Sequence, residues 1–226
     1  MSVDQALRSS GLEPREARLL LAHATGWSEA RVIGFPDAPL SGAAQRIFAD
    51  FAARRAGGEP IAYIVGCKEF YGLRLAVTPA VLIPRPETEL LVDLALERDF
   101  SSLADLGTGS GAIALAVKQH RSTARIVGVD ASAAALGIAR QNAAALALDV
   151  EWRQGRWLEP LAHQRFDVIV ANPPYVAAGD PHLPELRYEP QAALVSGTDG
   201  LDDIREIVAT VHPHLNEGGW LLLEHL

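Results

Sequence analysis

Four consecutive residues, Asn172-Pro173-Pro174-Tyr175, follow directly on the apolar run Phe166-Asp167-Val168-Ile169-Val170-Ala171 and carry the most specific chemistry in this chain. Two prolines in a row stop a strand, because each fixes φ at about −65° and removes a backbone donor. The loop therefore offers carbonyl acceptors without the usual N–H groups. Asn172 precedes a proline and is pushed into an extended conformation, which holds its side-chain amide in one direction. Such a corner can accept two hydrogen bonds from a planar –NH2, one at the Asn172 side-chain oxygen and one at the Pro173 carbonyl. Tyr175 supplies a flat face for the rest of an amide or base.

A second constellation lies upstream. Asp105-Leu106-Gly107-Thr108-Gly109-Ser110-Gly111-Ala112 closes a strand and opens a helix, and its glycines let a ligand approach bare backbone. The next strand ends at Asp130, 130 − 107 = 23 positions further on, where a carboxylate can accept from both hydroxyls of a ribose. Together they specify an adenosine-containing cofactor. By itself the loop is ambiguous: Gly107, Gly109 and Ala112 also satisfy the nicotinamide dinucleotide spacing G-x-G-x-x-G/A, and a tight turn that serves only the fold is the bland alternative. The proline corner breaks the tie, since a dehydrogenase needs no loop built for an amino group and an enzyme that alkylates nitrogen does.

The elements that must position these residues follow from periodicity. Asp4 to about Arg55 repeats apolar residues at helical spacing, as at Ala17, Leu20, Leu21 and Ala24, and reads as a small helical domain over residues 1–58. Over residues 59–82 the pattern turns to β-type, with Tyr63-Ile64-Val65 and Leu73 to Val77 as the arms of a hairpin connector. From 83 to 226 short apolar strands alternate with helices: strands at 103–106, 125–129, 150–153, 166–171 and 220–224, helices after Pro86 and at 112–119, 133–147 and 202–211. That alternation predicts an α/β fold with a mostly parallel sheet, whose ligands sit beyond the carboxyl ends of the strands.

Composition narrows the class. With 226 residues and 49% hydrophobic content a substantial core is available, and no apolar stretch reaches the ~20 residues of a bilayer span, so a cytoplasmic location is expected. The net charge of −8 disfavours polyanion binding and points to a protein or small-molecule substrate. Cys67 is the sole cysteine and the seven histidines form no ligand pattern, so no disulfide and no metal site is expected.

Gly107 to Gly111, Asp130 and Asn172 to Tyr175, in this order, resemble class I (Rossmann-like) S-adenosylmethionine-dependent methyltransferases that act on planar amino groups of DNA, rRNA or protein glutamine. Gly58-Glu59-Pro60-Ile61-Ala62-Tyr63-Ile64-Val65-Gly66, Phe70-Tyr71-Gly72, Leu82-Ile83-Pro84-Arg85-Pro86-Glu87-Thr88-Glu89, Tyr188-Glu189-Pro190 and Gly197-Thr198-Asp199-Gly200-Leu201 narrow this further. They look like the HemK-type protein-(glutamine-N5) methyltransferases, which modify the Gln of the Gly-Gly-Gln motif in peptide chain release factors. The resemblance implies that Gly107, Thr108, Gly109, Ser110, Gly111, Asp130, Trp157 and Asn172 contact the cofactor. It likewise implies that Asn172, Pro173, Pro174 and Tyr175 hold the glutamine, with Asn172, Pro173 and Tyr175 catalytic and a release factor as protein partner; the sequence leaves the oligomeric state open, a monomer being the expectation. Glu87 and Glu189 are the two candidates for the released proton, or else cap helices or pair with Arg85 or Arg187. In that family the sheet continues past Leu221-Leu222-Leu223-Glu224-His225 with a helix and a closing antiparallel strand pair, so the fifth strand is expected as an exposed apolar edge with the closing part of the sheet absent. A nucleic-acid amino methyltransferase, a dehydrogenase and a non-catalytic binding module stand as the competing readings.

Overall fold

A computed structural model describes residues 1–225. The chain forms two compact units, Met1–Gly66 and the remainder from Cys67 on. The first is helical: α1 (Val3–Ser9), α2 (Pro14–Thr25), α3 (Glu29–Gly34), α4 (Gly42–Ala56) and the single turn α5 (Ile61–Val65). Ser2 begins α1 with a reciprocal cap, its hydroxyl accepting from the Gln5 N–H while the Gln5 side chain accepts from the Ser2 N–H. Leu20, Leu21, Val32 and Phe48 form the unit's core, and each such buried side chain contributes roughly 1.5–3 kcal/mol. Arg55 of α4 reaches back to Glu16 of α2 at 2.8 Å, and Arg54 pairs with Glu59.

The hairpin is displaced from its expected place. Tyr63-Ile64-Val65 is helix, not strand, and the division between units falls at Gly66, not at residue 58. Pro60 opens the turn with φ −59°, Gly66 closes it at φ +74°, and Tyr63 and Ile64 are buried; packing overrides the β preference of branched and aromatic side chains. The antiparallel pair is β1 (Cys67–Phe70) and β2 (Leu73–Ala76), with Tyr71-Gly72 at its turn.

After α6 (Glu89–Leu96) the doubly wound part begins: β3 (Ser102–Leu106), α7 (Ala112–His120), β4 (Arg125–Asp130), α8 (Ala133–Leu146), β5 (Glu151–Gln154), β6 (Phe166–Ala171), α9 (Asp202–Thr210) and β7 (Leu215–Leu223). The strands pair in parallel in the order β5-β4-β3-β6-β7. The central strands β3, β4 and β6 are buried on both faces, as parallel strands covered by helices on each side are. Leu103, Val168 and Val170 face the layer of α6 and α7, whereas Ala104, Leu106, Ile169 and Ala171 face the layer holding Ile207 and Val211. β7 starts earlier than expected because Asn216 to Gly219 bulge out between the pairs Phe166 with Leu215 and Val168 with Trp220, with Gly218 at φ +75°. Among the described residues β7 pairs with β6 alone, and its Trp220 is 47% exposed beneath the Arg98 guanidinium at 4.0 Å.

Gly128 lies opposite Trp152 in the β4–β5 pairing, and a Cβ there would come within 2.4 Å of the indole. Gly128→Ala is therefore expected to lower stability by about 1–3 kcal/mol. Urea unfolding is the measure, and the loss should shrink when Trp152→Leu is introduced in the same chain.

Candidate active site

The switch point of the sheet lies at β3, which has β4 on one side and β6 on the other, so the loops after these three strands share one crevice. The loop after β3 is held from within. Gly107, Gly109 and Gly111 sit at φ +71°, +56° and +83°, conformations in which a side chain is strained. The Thr108 N–H donates to the Val129 carbonyl at 2.8 Å and its hydroxyl to Asp105 Oδ2 at 2.6 Å. A Cβ on Gly107 would stand 3.1 Å from the Trp157 ring. Asp130 closes the loop from β4: Oδ2 accepts the Gly109 N–H at 2.9 Å and Oδ1 the Ser132 N–H at 2.8 Å. Burial holds its carboxyl above the usual carboxylate range against those two donors.

A cavity of about 530 Å³ opens over these strand ends, and Gly107, Gly109, Asp130, Trp157, Asn172 and Pro174 all stand in its wall. The other residues singled out from sequence stand elsewhere. Thr108, Ser110 and Gly111 are buried behind the wall; the Ser110 carbonyl accepts from Asn142 Nδ2 at 2.9 Å, so these residues shape the loop. Pro173 is buried and Tyr175 half-buried, both outside the wall. Trp157 is both core and wall: it packs with Leu158 and Leu161, and its indole N–H donates to Asp203 Oδ1 at 3.2 Å. Asp203, Ser196 and Gly197 complete that side. Sequence reasoning assigned them no role, although the Gly197-to-Leu201 segment had marked the region.

At the end of β6 the Asn172 amide donates from Nδ2 to the Thr88 hydroxyl oxygen at 3.0 Å. Thr88 is buried, and Glu224, just past β7, donates its backbone N–H to the Ala171 carbonyl at 3.0 Å. Neither had been singled out for a role. The signals were a Thr within the Ile83-to-Glu89 segment and a carboxylate ending an apolar strand. Glu189 is buried and fully engaged: one oxygen accepts from Arg85 and the other from the Ile83 N–H at 3.1 Å. Of the readings offered for this acid, the ion pair is the one observed. Tyr175 sits among Arg85, Glu87 and Glu224, and burial first, then the two carboxylates, push its phenol upward while Arg85 opposes them. Among the described residues no group of His, Cys, Asp or Glu is arranged to hold a metal ion, and no helix is long and apolar enough to cross a membrane.

Residues 86–185 match the family described as Methyltransferase small domain, and residues 2–66 match the PrmC N-terminal domain. The release factor glutamine methyltransferase of Xylella fastidiosa (strain Temecula1) is 48% identical over 227 residues, covering 97% of this chain and 82% of its own. The chain belongs to the release factor glutamine methyltransferase family. The counterpart from Burkholderia pseudomallei is 47% identical, with 98% of this chain and 82% of its own covered. A solved methyltransferase from Pyrococcus furiosus shares the fold, at a TM-score of 0.53 and 20% identity over 77% of this chain and 78% of that one.

In this member of the family Asp105, beneath the glycine loop, is fully buried. Oδ2 takes the Thr108 hydroxyl and the Ala114 N–H, while Oδ1 has no partner among the described residues. Burial pushes its carboxyl up to about 6, those two donors pull it down, and Asp130 adds to the rise. Because the folded state holds this proton more tightly than the unfolded chain, its contribution to stability is present at low pH and is lost as pH rises through about 4 to 6, by about 3 kcal/mol. Asp105→Asn should flatten this limb: the fall in Tm between pH 5 and pH 7 shrinks relative to wild type, and parallel Tm curves for the two proteins would refute the assignment.

Proposed function

We propose that this chain transfers the methyl group of S-adenosylmethionine to the side-chain amide nitrogen of the glutamine in the Gly-Gly-Gln motif of peptide chain release factors. The observation that carries the reading is the polarity of Asn172. Its nitrogen donates to Thr88, so Oδ1 is the atom left to a cavity lined by Gly107, Gly109 and Asp130. An acceptor beside a nucleoside-sized space suits an amide –NH2 that must meet a methyl donor.

The residues present fit that donor. Bare backbone at Gly107 and Gly109 accommodates close approach, Asp130 keeps lone pairs for ribose hydroxyls, and Trp157 offers an apolar wall. When bound, S-adenosylmethionine supplies an electrophilic methyl on a positively charged sulfur. A carboxamide nitrogen is a poor nucleophile because its lone pair is delocalised into the carbonyl. Asn172 Oδ1 and the Pro173 carbonyl accept its two N–H groups, turn the lone pair toward the cavity and favour the pyramidal geometry of attack. Tyr175 flanks the amide plane. Positioning and fixed dipoles carry the catalysis. No side chain is assigned as general base: Glu189 is committed to Arg85 and Ile83, and Glu87 is exposed. The net charge of −8 favours a protein over a nucleic acid as substrate, and the reading puts the enzyme in the cytoplasm, where release factors work.

The test is transfer of labelled methyl from S-adenosylmethionine to whole release factor, with RNA and DNA pools run in parallel. Label is expected on the glutamine alone, and label on nucleic acid instead would sink the proposal. Asn172→Ala should lower turnover by about 10²-fold or more while calorimetry shows most of the cofactor affinity retained. Undiminished turnover in that variant refutes the role of the amide.

A further inference from the structure

We infer that Thr88 and Glu224 are positioning residues that hold the Asn172 amide with its oxygen toward the cavity, an inference that rests on the methyl-transfer reading above. An asparagine amide is nearly symmetric in shape, and packing alone chooses weakly between its two orientations. Hydrogen-bond polarity chooses strongly. Asn172 Nδ2 donates to the Thr88 oxygen at 3.0 Å, which holds only while the hydroxyl hydrogen points elsewhere. The neighbour that draws it away is Glu224, set beside Asn172 by its own N–H bond to Ala171 at 3.0 Å. In its ionised form the Glu224 carboxylate can only accept; the Thr88 hydroxyl hydrogen would then turn toward it and leave the Thr88 lone pairs for the Asn172 –NH2.

Two further observations place Glu224 behind the reaction and not in it. Its side chain is absent from the cavity wall, and Oε2 is buried with no partner among the described residues. Burial raises its pKa most, Glu87 adds to the rise, and the Thr88 and Asn172 donors oppose it. Arg85, the nearby cation, is paired with Glu189. Were the Asn172 amide reversed, its –NH2 would face the substrate –NH2, donor against donor.

The experiment uses Thr88→Val, Thr88→Ser and Glu224→Gln in the full chain. It measures kcat and KM with whole release factor, S-adenosylmethionine affinity by calorimetry, and the Asn172 side-chain resonances in ¹⁵N-asparagine-labelled protein. Thr88→Val keeps shape and loses the acceptor, so kcat should fall roughly 10- to 100-fold with cofactor Kd changed by less than about twofold and the Asn172 –NH2 resonances shifted. Glu224→Gln, which lets the hydroxyl donate to Asn172 instead, should do the same. Thr88→Ser should restore both kcat and resonances. Wild-type kcat in Thr88→Val or Glu224→Gln, unmoved Asn172 resonances, or a folded Thr88→Ser that fails to rescue overturns the inference. Absence of glutamine methylation by the wild-type enzyme would instead overturn the functional reading, and the resonances then decide the orientation of Asn172 by themselves.

Discussion

Parallel pairing of β3 with β4 on one side and β6 on the other is the constraint on which the site depends. In a parallel sheet all carboxyl ends lie on one edge, and where the strand order reverses the helices leave a crevice over that edge. Three loops that are far apart in the chain, at Gly107, Asp130 and Asn172, become neighbours for this reason alone. The register supports it: Leu106 pairs with Val129 and with Ala171, so the three strands run out within a residue or two of each other. Both faces of β3 are covered by apolar layers, which keeps that alignment rigid.

On this frame the chemistry is a matter of which atoms remain unclaimed. The glycine loop ties its own polar groups to Asp105, Val129 and Asp130, presenting backbone to the cavity. The Arg85–Glu189 pair ties the segment before α6 to the loop beyond Tyr175 and removes an acid that would otherwise stand as a candidate base. At the corner after β6 the prolines remove donors, and Thr88 engages the nitrogen of Asn172. Acceptors are left over where a donor-bearing amide is to be received. A buried polar group costs about 1–3 kcal/mol when unpaired, so these local pairings are strong determinants of side-chain direction.

Where sequence reading and structure diverge, tertiary packing is the cause. Tyr63-Ile64-Val65 carries β-type residues yet turns as helix, because Pro60 and Gly66 bracket it and Tyr63 and Ile64 bury their side chains. β7 is longer than its apolar run because Asn216 to Gly219 loop out and pairing resumes below at Leu215. Thr108 and Ser110 fall within the glycine motif but point away from the cavity; a spacing pattern identifies a loop without saying which of its side chains turn inward.

By itself the sequence determined the alternation of strands and helices, the glycine turn after β3, the acid ending β4 and the donor-poor corner after β6, because each arises from residue-level sterics: glycine's freedom at positive φ, proline's missing N–H, the period of apolar positions. Only the tertiary structure decided that Thr88 and Glu224 stand beside Asn172, that Glu189 is held by Arg85, and that Asp105 is sealed beneath the loop. Those are contacts between residues far apart in the chain. Local sterics carry no information about such pairs; strand order and register create them.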